Sequence, residues 1–229
     1  MVAARHRLIA RIIKELAPRS ILEIGCGIDL IFDHIVDAGL SFESWLIVEP
    51  EPRFLETARA RAEEDPRLHL ACCRVEETGW TSQLEKPADL IIISSLLHEV
   101  PDPQAVLSAV RGICGPETTL HINVPNSESL HRRLAVAMGI AENTSDLGQR
   151  NRDLGQHRVY AAADLRREIE QAGFSVVADG GYFLKPFTHA QMMTIASELG
   201  PKGLAGLEKL GQDLAELAAE IYVNARLST

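Results

Sequence analysis

The residues whose types and spacing carry chemistry sit at the ends of apolar runs. In ILEIGCGIDL, Ile21 to Leu30, an apolar segment carrying Glu23 breaks into Gly25, Cys26 and Gly27, and Asp29 follows. Glycine at such a break lets the main chain turn left-handed and approach a ligand with no Cβ in the way. The next apolar run, WLIV, is closed by Glu49, 24 residues after Gly25. An acid at that distance in a nucleotide-binding unit accepts hydrogen bonds from a ribose diol. Turn and acid together imply a cofactor built on a nucleoside.

Charge narrows the choice. A dinucleotide would seat its pyrophosphate on the following helix and favour a third glycine where Leu30 stands, and Asp29 would repel it. S-adenosylmethionine carries a sulfonium and an ammonium and no phosphate, so an acid-rich pocket of Glu23, Asp29 and Glu49 suits it. Asp29 has a second reading, as a complement to the dipole of the helix that starts beside it.

Further candidates lie after later apolar runs. His98, in LLHEVPDP, can act as a base or orient a substrate, with Glu99 fixing its tautomer, or it can simply brace the turn. Asn126 and His131 follow the fifth run and can touch substrate, although Asn126 or Ser127 is equally a helix cap. From His131 to Arg158 there are five arginines against three acids, in a chain of net charge -9. That excess, Arg158 included, suggests an anionic acceptor such as a carboxylate or phosphate-bearing metabolite, or else arginines paired with Asp146 and Asp153.

The elements that must hold these groups are those of an α/β fold. Strand patterns at Ile21 to Ile24, Trp45 to Val48, Leu68 to Cys72, Asp89 to Ile93 and Thr119 to Val124 alternate with helical ones at Leu30 to Ala38, Pro52 to Glu63 and Pro103 to Ile113. Such alternation gives right-handed crossovers and a doubly wound, mostly parallel sheet. The 229 residues, 46% hydrophobic, suffice for one domain. An amphipathic helix is expected at 2–17, a lid-like insertion at about 126–160, and a helical addition at about 188–219. In the last, Leu204, Leu207, Leu210, Leu214 and Leu217 share a face, fit for a dimer seam or for packing on the domain itself. In GGYFLKPF the glycines suggest a substrate-side loop or a bulge. The acidic balance, pI near 5.4, argues against a nucleic-acid partner. No apolar run approaches a bilayer span. Cys26, Cys72, Cys73 and Cys114 show no metal-ligand spacing, so a reduced cytoplasmic setting and no metal are expected.

Taken in order, ILEIGCG, LIVEPEP, ADLIIISSLLHEVPDP, VLSAVRGICGPETTLHINVPN and DLRREIEQAGFSVV resemble the successive motifs of class I S-adenosylmethionine-dependent methyltransferases, in the small-molecule branch that includes ubiquinone-biosynthesis-type enzymes. The resemblance runs from about Ser20 to Val177. It implies a Rossmann-like seven-stranded sheet with a reversed last strand, and FSVVADGGYFL and EIYVNARL would be the final two strands. It places Glu23, Gly25, Cys26 and Gly27 at the methionine part of the cofactor, Glu49 and Pro50 at the ribose, Cys73, Arg74, Val75 and Glu76 at the adenine, and Ser94 on the other side. It also places His157 and Tyr160 at an element that faces the acceptor, with His98 and His157 as candidate catalytic groups. Two positions depart from the pattern: Asp29, where a glycine is common, and Cys73 and Arg74, where a carboxylate is common.

The expected function is methyl transfer from S-adenosylmethionine to a small molecule, on oxygen because the amide-methylating motif is replaced by SSLL. A non-catalytic cofactor-binding module and a nicotinamide-dinucleotide oxidoreductase are the rival readings. No nucleic-acid or membrane partner is expected, and the chain is expected to be a monomer or a homodimer.

Overall fold

The computed structural model describes residues 2–228, apart from the side chain of Arg150. Seven strands form one sheet: β1 (Ser20–Ile24), β2 (Ser44–Val48), β3 (Leu68–Ala71), β4 (Leu90–Ser94), β5 (Thr119–Pro125), β6 (Phe174–Tyr182) and β7 (Glu220–Leu227), in the order β3-β2-β1-β4-β5-β7-β6. The first five run parallel, and β7 is reversed between β5 and β6. Central strands here are apolar on both sides because both faces are covered, as a doubly wound sheet demands.

Alternation along each strand sorts its residues between two layers. Ile21, Trp45, Ile47, Leu90 and Ile92 pack with α1 (Val2–Leu16), α2 (Ile31–Asp37) and α3 (Pro52–Glu64). Leu22, Leu46, Ile91 and Ile93 pack with α4 (Pro103–Ile113) and α7 (Ala162–Gln171). Glu23 shares the parity of Ile21, so its carboxylate enters the first layer. Pro52 and Pro103 occupy first helical positions, where no amide hydrogen is needed, and Asp102 caps α4 by accepting from the Ala105 amide at 3.1 Å.

Between β5 and α7 the chain makes an excursion containing α5 (Leu130–Ala137) and α6 (Gln149–Asp153). Its neck is pinched shut, since Ser127 N donates to Tyr160 O at 2.8 Å and Asn126 bridges to Tyr160. The helix expected just after Asn126 or Ser127 begins later, with Ser129 at its cap position. The Asn126 side chain is used elsewhere, accepting from Glu128 N at 2.9 Å and donating to the carbonyls of Glu216 and Ala218.

The leucine face of the last helix is divided. In α8 (His189–Asp213), Gly200 is left-handed and Pro201 follows, so the helix kinks there. Leu204 and Leu207 turn inward against Leu8, Phe183 and Met192. Leu210 and Leu214 stay 44% and 37% exposed, and Leu217 lies in a separate turn. The bulge in β6 falls between Val176 and Ala178. Gly181 instead permits close approach, since a Cβ there would come within 2.6 Å of the Ala215 carbonyl.

Candidate active site

The carboxyl ends of β1, β2 and β4 converge. After β1 the chain turns at Gly25 and Gly27, with φ of 77° and 62°. The Gly25 amide donates to Val48 O at 3.0 Å, fixing the turn to the end of β2, and a Cβ on Gly25 would meet the Leu96 side chain at 3.3 Å. Cys26 is buried, its thiol reaching toward Phe54 O at 3.7 Å. Burial, aided by Glu23 and Glu49, pushes that thiol up to about 12, so it stays protonated and inert.

Glu23 is fully buried. Its Oε2 accepts from Trp45 Nε1 at 2.9 Å, while Oε1 has no partner among the described residues. Burial pushes its carboxyl up to about 8, the Trp45 hydrogen bond opposing and nearby Glu49 reinforcing the shift. Glu49 is also buried, accepts from the Glu51 amide at 2.9 Å, and is raised above the ordinary carboxylate range by burial. An orphaned carboxylate oxygen and a second desolvated acid beside two left-handed glycines fit a ligand that brings positive charge and hydroxyl donors, as S-adenosylmethionine does. Asp29 and Pro50 are exposed at the rim.

The shift at Glu23 gives a prediction. A carboxyl whose folded pKa is raised contributes stability that is complete below its unfolded value and lost as pH rises through about 8. Glu23→Gln keeps an acceptor for Trp45 and removes the titration. The variant should match the wild type in thermal melts near pH 4 and exceed it at pH 8, by an amount on the order of a few kcal/mol. An equal difference at both pH values contradicts this.

Beyond β3, Cys73 is half-buried, while Arg74 and Glu76 are exposed. The turn they form is closed by Glu77, whose carboxylate accepts from Arg74 N at 2.9 Å, and is anchored by Trp80, which donates to Val75 O at 3.2 Å. The side chain that orders this turn is therefore Glu77.

A cleft of about 780 Å³ opens beside this region, lined among others by Arg5, Ser95, His98, His131, Arg132 and Glu220. His98 is 1% exposed. Its Nε2 lies 3.4 Å from Glu99 Oε1, and its Nδ1 is buried with no partner among the described residues. Ser95, next to it, is left-handed at φ 59°, a conformation that a non-glycine residue holds at some cost and that clusters at functional sites. The Ser94 hydroxyl is buried and likewise without a described partner. Arg158 holds the turn bearing His98, donating to the carbonyls of Leu97, Val100 and Pro101 at 2.9, 2.7 and 2.8 Å.

Other expected groups are placed differently. The His157 amide donates to His98 O at 2.9 Å, but its side chain is exposed. Tyr160 is buried with its hydroxyl on Glu168 at 2.5 Å, which points it into the α7 layer. His131 is half-buried on the cleft wall; burial, then Lys185 and Arg132, lower it to about 3, so the ring is neutral. The arginines of the excursion mostly hold main chain. Arg132 donates to Thr144 O and Asp146 O, Arg152 to Leu147 O, and Arg133 pairs with Glu128. The side chain of Arg150 lies outside the described residues.

One cluster had no signature in the sequence reading. Glu220, on the cleft wall, is buried and receives Arg5 Nη2 at 3.0 Å, Asn123 Nδ2 at 3.2 Å and the Tyr182 hydroxyl. The available signal was a single acid opening the apolar run EIYV.

A family model described as a methyltransferase domain matches residues 1–179. The ubiquinone biosynthesis O-methyltransferase of Neisseria meningitidis serogroup C is 23% identical over 175 residues, covering 73% of this chain and 68% of that protein. Among solved structures, the plantazolicin methyltransferase BamL, determined with S-adenosylhomocysteine, is 14% identical with a TM-score of 0.65, over 98% of this chain and 85% of that one. The N-methyltransferase NodS of Bradyrhizobium japonicum WM9 is 13% identical with a TM-score of 0.60, over 98% and 95%. Domain match, strand order and the acid-lined glycine turn agree: the chain belongs to the class I S-adenosylmethionine-dependent methyltransferase family.

Proposed function

We propose that this methyltransferase acts on an oxygen of a small organic acceptor and that His98 removes the proton. The observation that carries this reading is the buried Nδ1 of His98 in the wall of the cleft, without a partner among the described residues. Glu99 beside Nε2 favours the tautomer with hydrogen on Nε2, which leaves the Nδ1 lone pair for an acceptor hydroxyl. S-adenosylmethionine, when bound, supplies an electrophilic methyl group, and Glu23, the glycine turn and Glu49 are the residues to hold it. The protein's own work is then to align the acceptor, exclude water and take up one proton. Arg158 serves this by fixing the His98 turn rather than by meeting substrate. Residues 126–160, pinched at the neck, are read as a lid over the acceptor within one domain. The sequence-based expectation of an anionic acceptor is supported by half-buried Arg132 and exposed Arg152, both on the cleft wall. The ubiquinone-biosynthesis relative, named an O-methyltransferase, favours oxygen over nitrogen. Four free cysteines suit a reducing, cytoplasmic setting, and no described helix is long and apolar enough to cross a membrane.

The test is transfer of labelled methyl to a panel of phenols, carboxylic acids and amines. Label on oxygen acceptors is expected. His98→Asn should lower kcat by about 100- to 1,000-fold and leave affinity for S-adenosylhomocysteine unchanged. Label confined to amines, or a His98→Asn enzyme with full kcat, contradicts the reading.

A further inference from the structure

A second cavity, of about 490 Å³, lies between α1 and α8. Its walls are mainly apolar, including Ala4, Phe183, Met192, Met193, Leu204 and Ala205, with Arg7, Glu208, Lys185 and His189 at the polar positions. The two helices are held together by polar contacts, and the pair Arg7 and Glu208 forms part of the cavity's lining. Arg7 grips Glu208 through two nitrogens, at 2.9 and 2.5 Å, and Arg11 reaches Gln212 at 3.4 Å. Small residues, Ala3, Ala4, Ala196 and Ala205, line the space between them, and the kink at Gly200 and Pro201 shapes one wall. Several of its residues, Ala3, Met193 and Ala205 among them, are exposed, so the space is an apolar groove open to solvent that a guest can enter.

Position says what that is. Lys185 and His189 line both this cavity and the cleft that holds His98. The apolar space is thus a continuation of the acceptor cleft beyond a polar partition. Apolar side chains also stand exposed around the opening: Ile140 and Leu154 on the cleft wall at 71% and 55%, and Met193 in the cavity at 65%. Methionine adapts its shape to an irregular apolar guest.

We propose that the α1–α8 cavity is a subsite for an apolar chain carried by the methyl acceptor, so that the substrate is an amphiphile with its reactive head at His98 and its tail between the two helices. This rests on the reading of the cleft as the acceptor site. Polar groups at the partition face the head, and the alanine and methionine walls receive the hydrocarbon. An acceptor lacking the chain would forfeit this burial and bind through its head alone.

The experiment uses the full chain and a fluorescent fatty acid, dansyl-undecanoic acid, displaced by unbranched carboxylates from hexanoate to tetradecanoate. Affinity is expected to rise about three- to fourfold per added methylene until the cavity is filled, then to level off. Ala205→Trp, at an exposed helical position, should abolish that dependence, and Met193→Glu should weaken it, both with unchanged affinity for S-adenosylhomocysteine. No chain-length dependence in the wild type, or the same dependence in both variants, overturns the proposal. Binding of S-adenosylhomocysteine is read separately, so loss of the methyltransferase reading would show as a failure there and not in the chain-length series.

Discussion

Glu49→Ala is expected to raise the Kd for S-adenosylhomocysteine about 100-fold while leaving the fold intact. A ribose diol donates two hydrogen bonds to a carboxylate at the end of β2. Hydrogen bonds to a charged group are worth about 1.5 kcal/mol or more each, and two of them amount to about two decades in affinity. The loss cannot be ascribed to unfolding. Glu49 is buried and its carboxyl is raised by burial, so the alanine variant sheds a desolvated acid rather than a stabilising charge. Calorimetric titration should therefore show weakened binding together with an undiminished melting temperature. Unchanged affinity would remove the ribose contact from the account.

Arg5→Ala should be the most destabilising of the substitutions considered, by about 3–5 kcal/mol. Arg5 belongs to the first helix and Glu220 to the last strand, and their side chains are 19% and 3% exposed. Removing the guanidinium strands a buried carboxylate that keeps only neutral donors, Tyr182 and Asn123. For a chain of this size such a loss lowers the melting temperature by about 10 °C or more. The pH dependence follows from the sign of the shift. Burial alone would raise Glu220, but Arg5, joined by the Tyr182 hydroxyl and His98, outweighs it and holds the carboxyl below its ordinary value of 4.5. The stability it contributes is thus present above that value and lost as pH falls below it. Without Arg5 the buried carboxyl is raised instead, so the deficit of the variant should be largest near neutral pH and shrink in acid. Glu220→Gln added to Arg5→Ala should recover part of the loss, since no charge is then left buried. A deficit independent of pH contradicts this account.

Legibility from sequence followed the range of the interaction. The five parallel strands were visible because each is a short apolar run bounded by turn residues, and their ends in the structure differ from expectation by a residue. Gly25, Gly27 and Glu49 were visible because local backbone geometry and strand position dictate them. The pair of Glu23 with Trp45 was not, since neighbouring strands meet only after the sheet forms. The Arg5–Glu220 pair is more remote still, linking the two ends of the chain. Arginine counts carry less than they suggest for another reason. Composition registers charge but not partners, and Arg132, Arg152 and Arg158 spend much of their donor capacity on main-chain carbonyls that no residue pattern marks. The leucine face looked continuous because periodicity assumes one unbroken helix, whereas α8 ends at Asp213 and Leu217 falls in a separate turn.

The most direct measurement is calorimetric titration of the purified wild-type chain with S-adenosylmethionine, S-adenosylhomocysteine and NAD in parallel. One site per chain for the first two, and none for NAD, is the expected result. A chain that binds NAD, or that gives no heat with either adenosyl compound, would show that the glycine turn and its two buried acids serve another ligand.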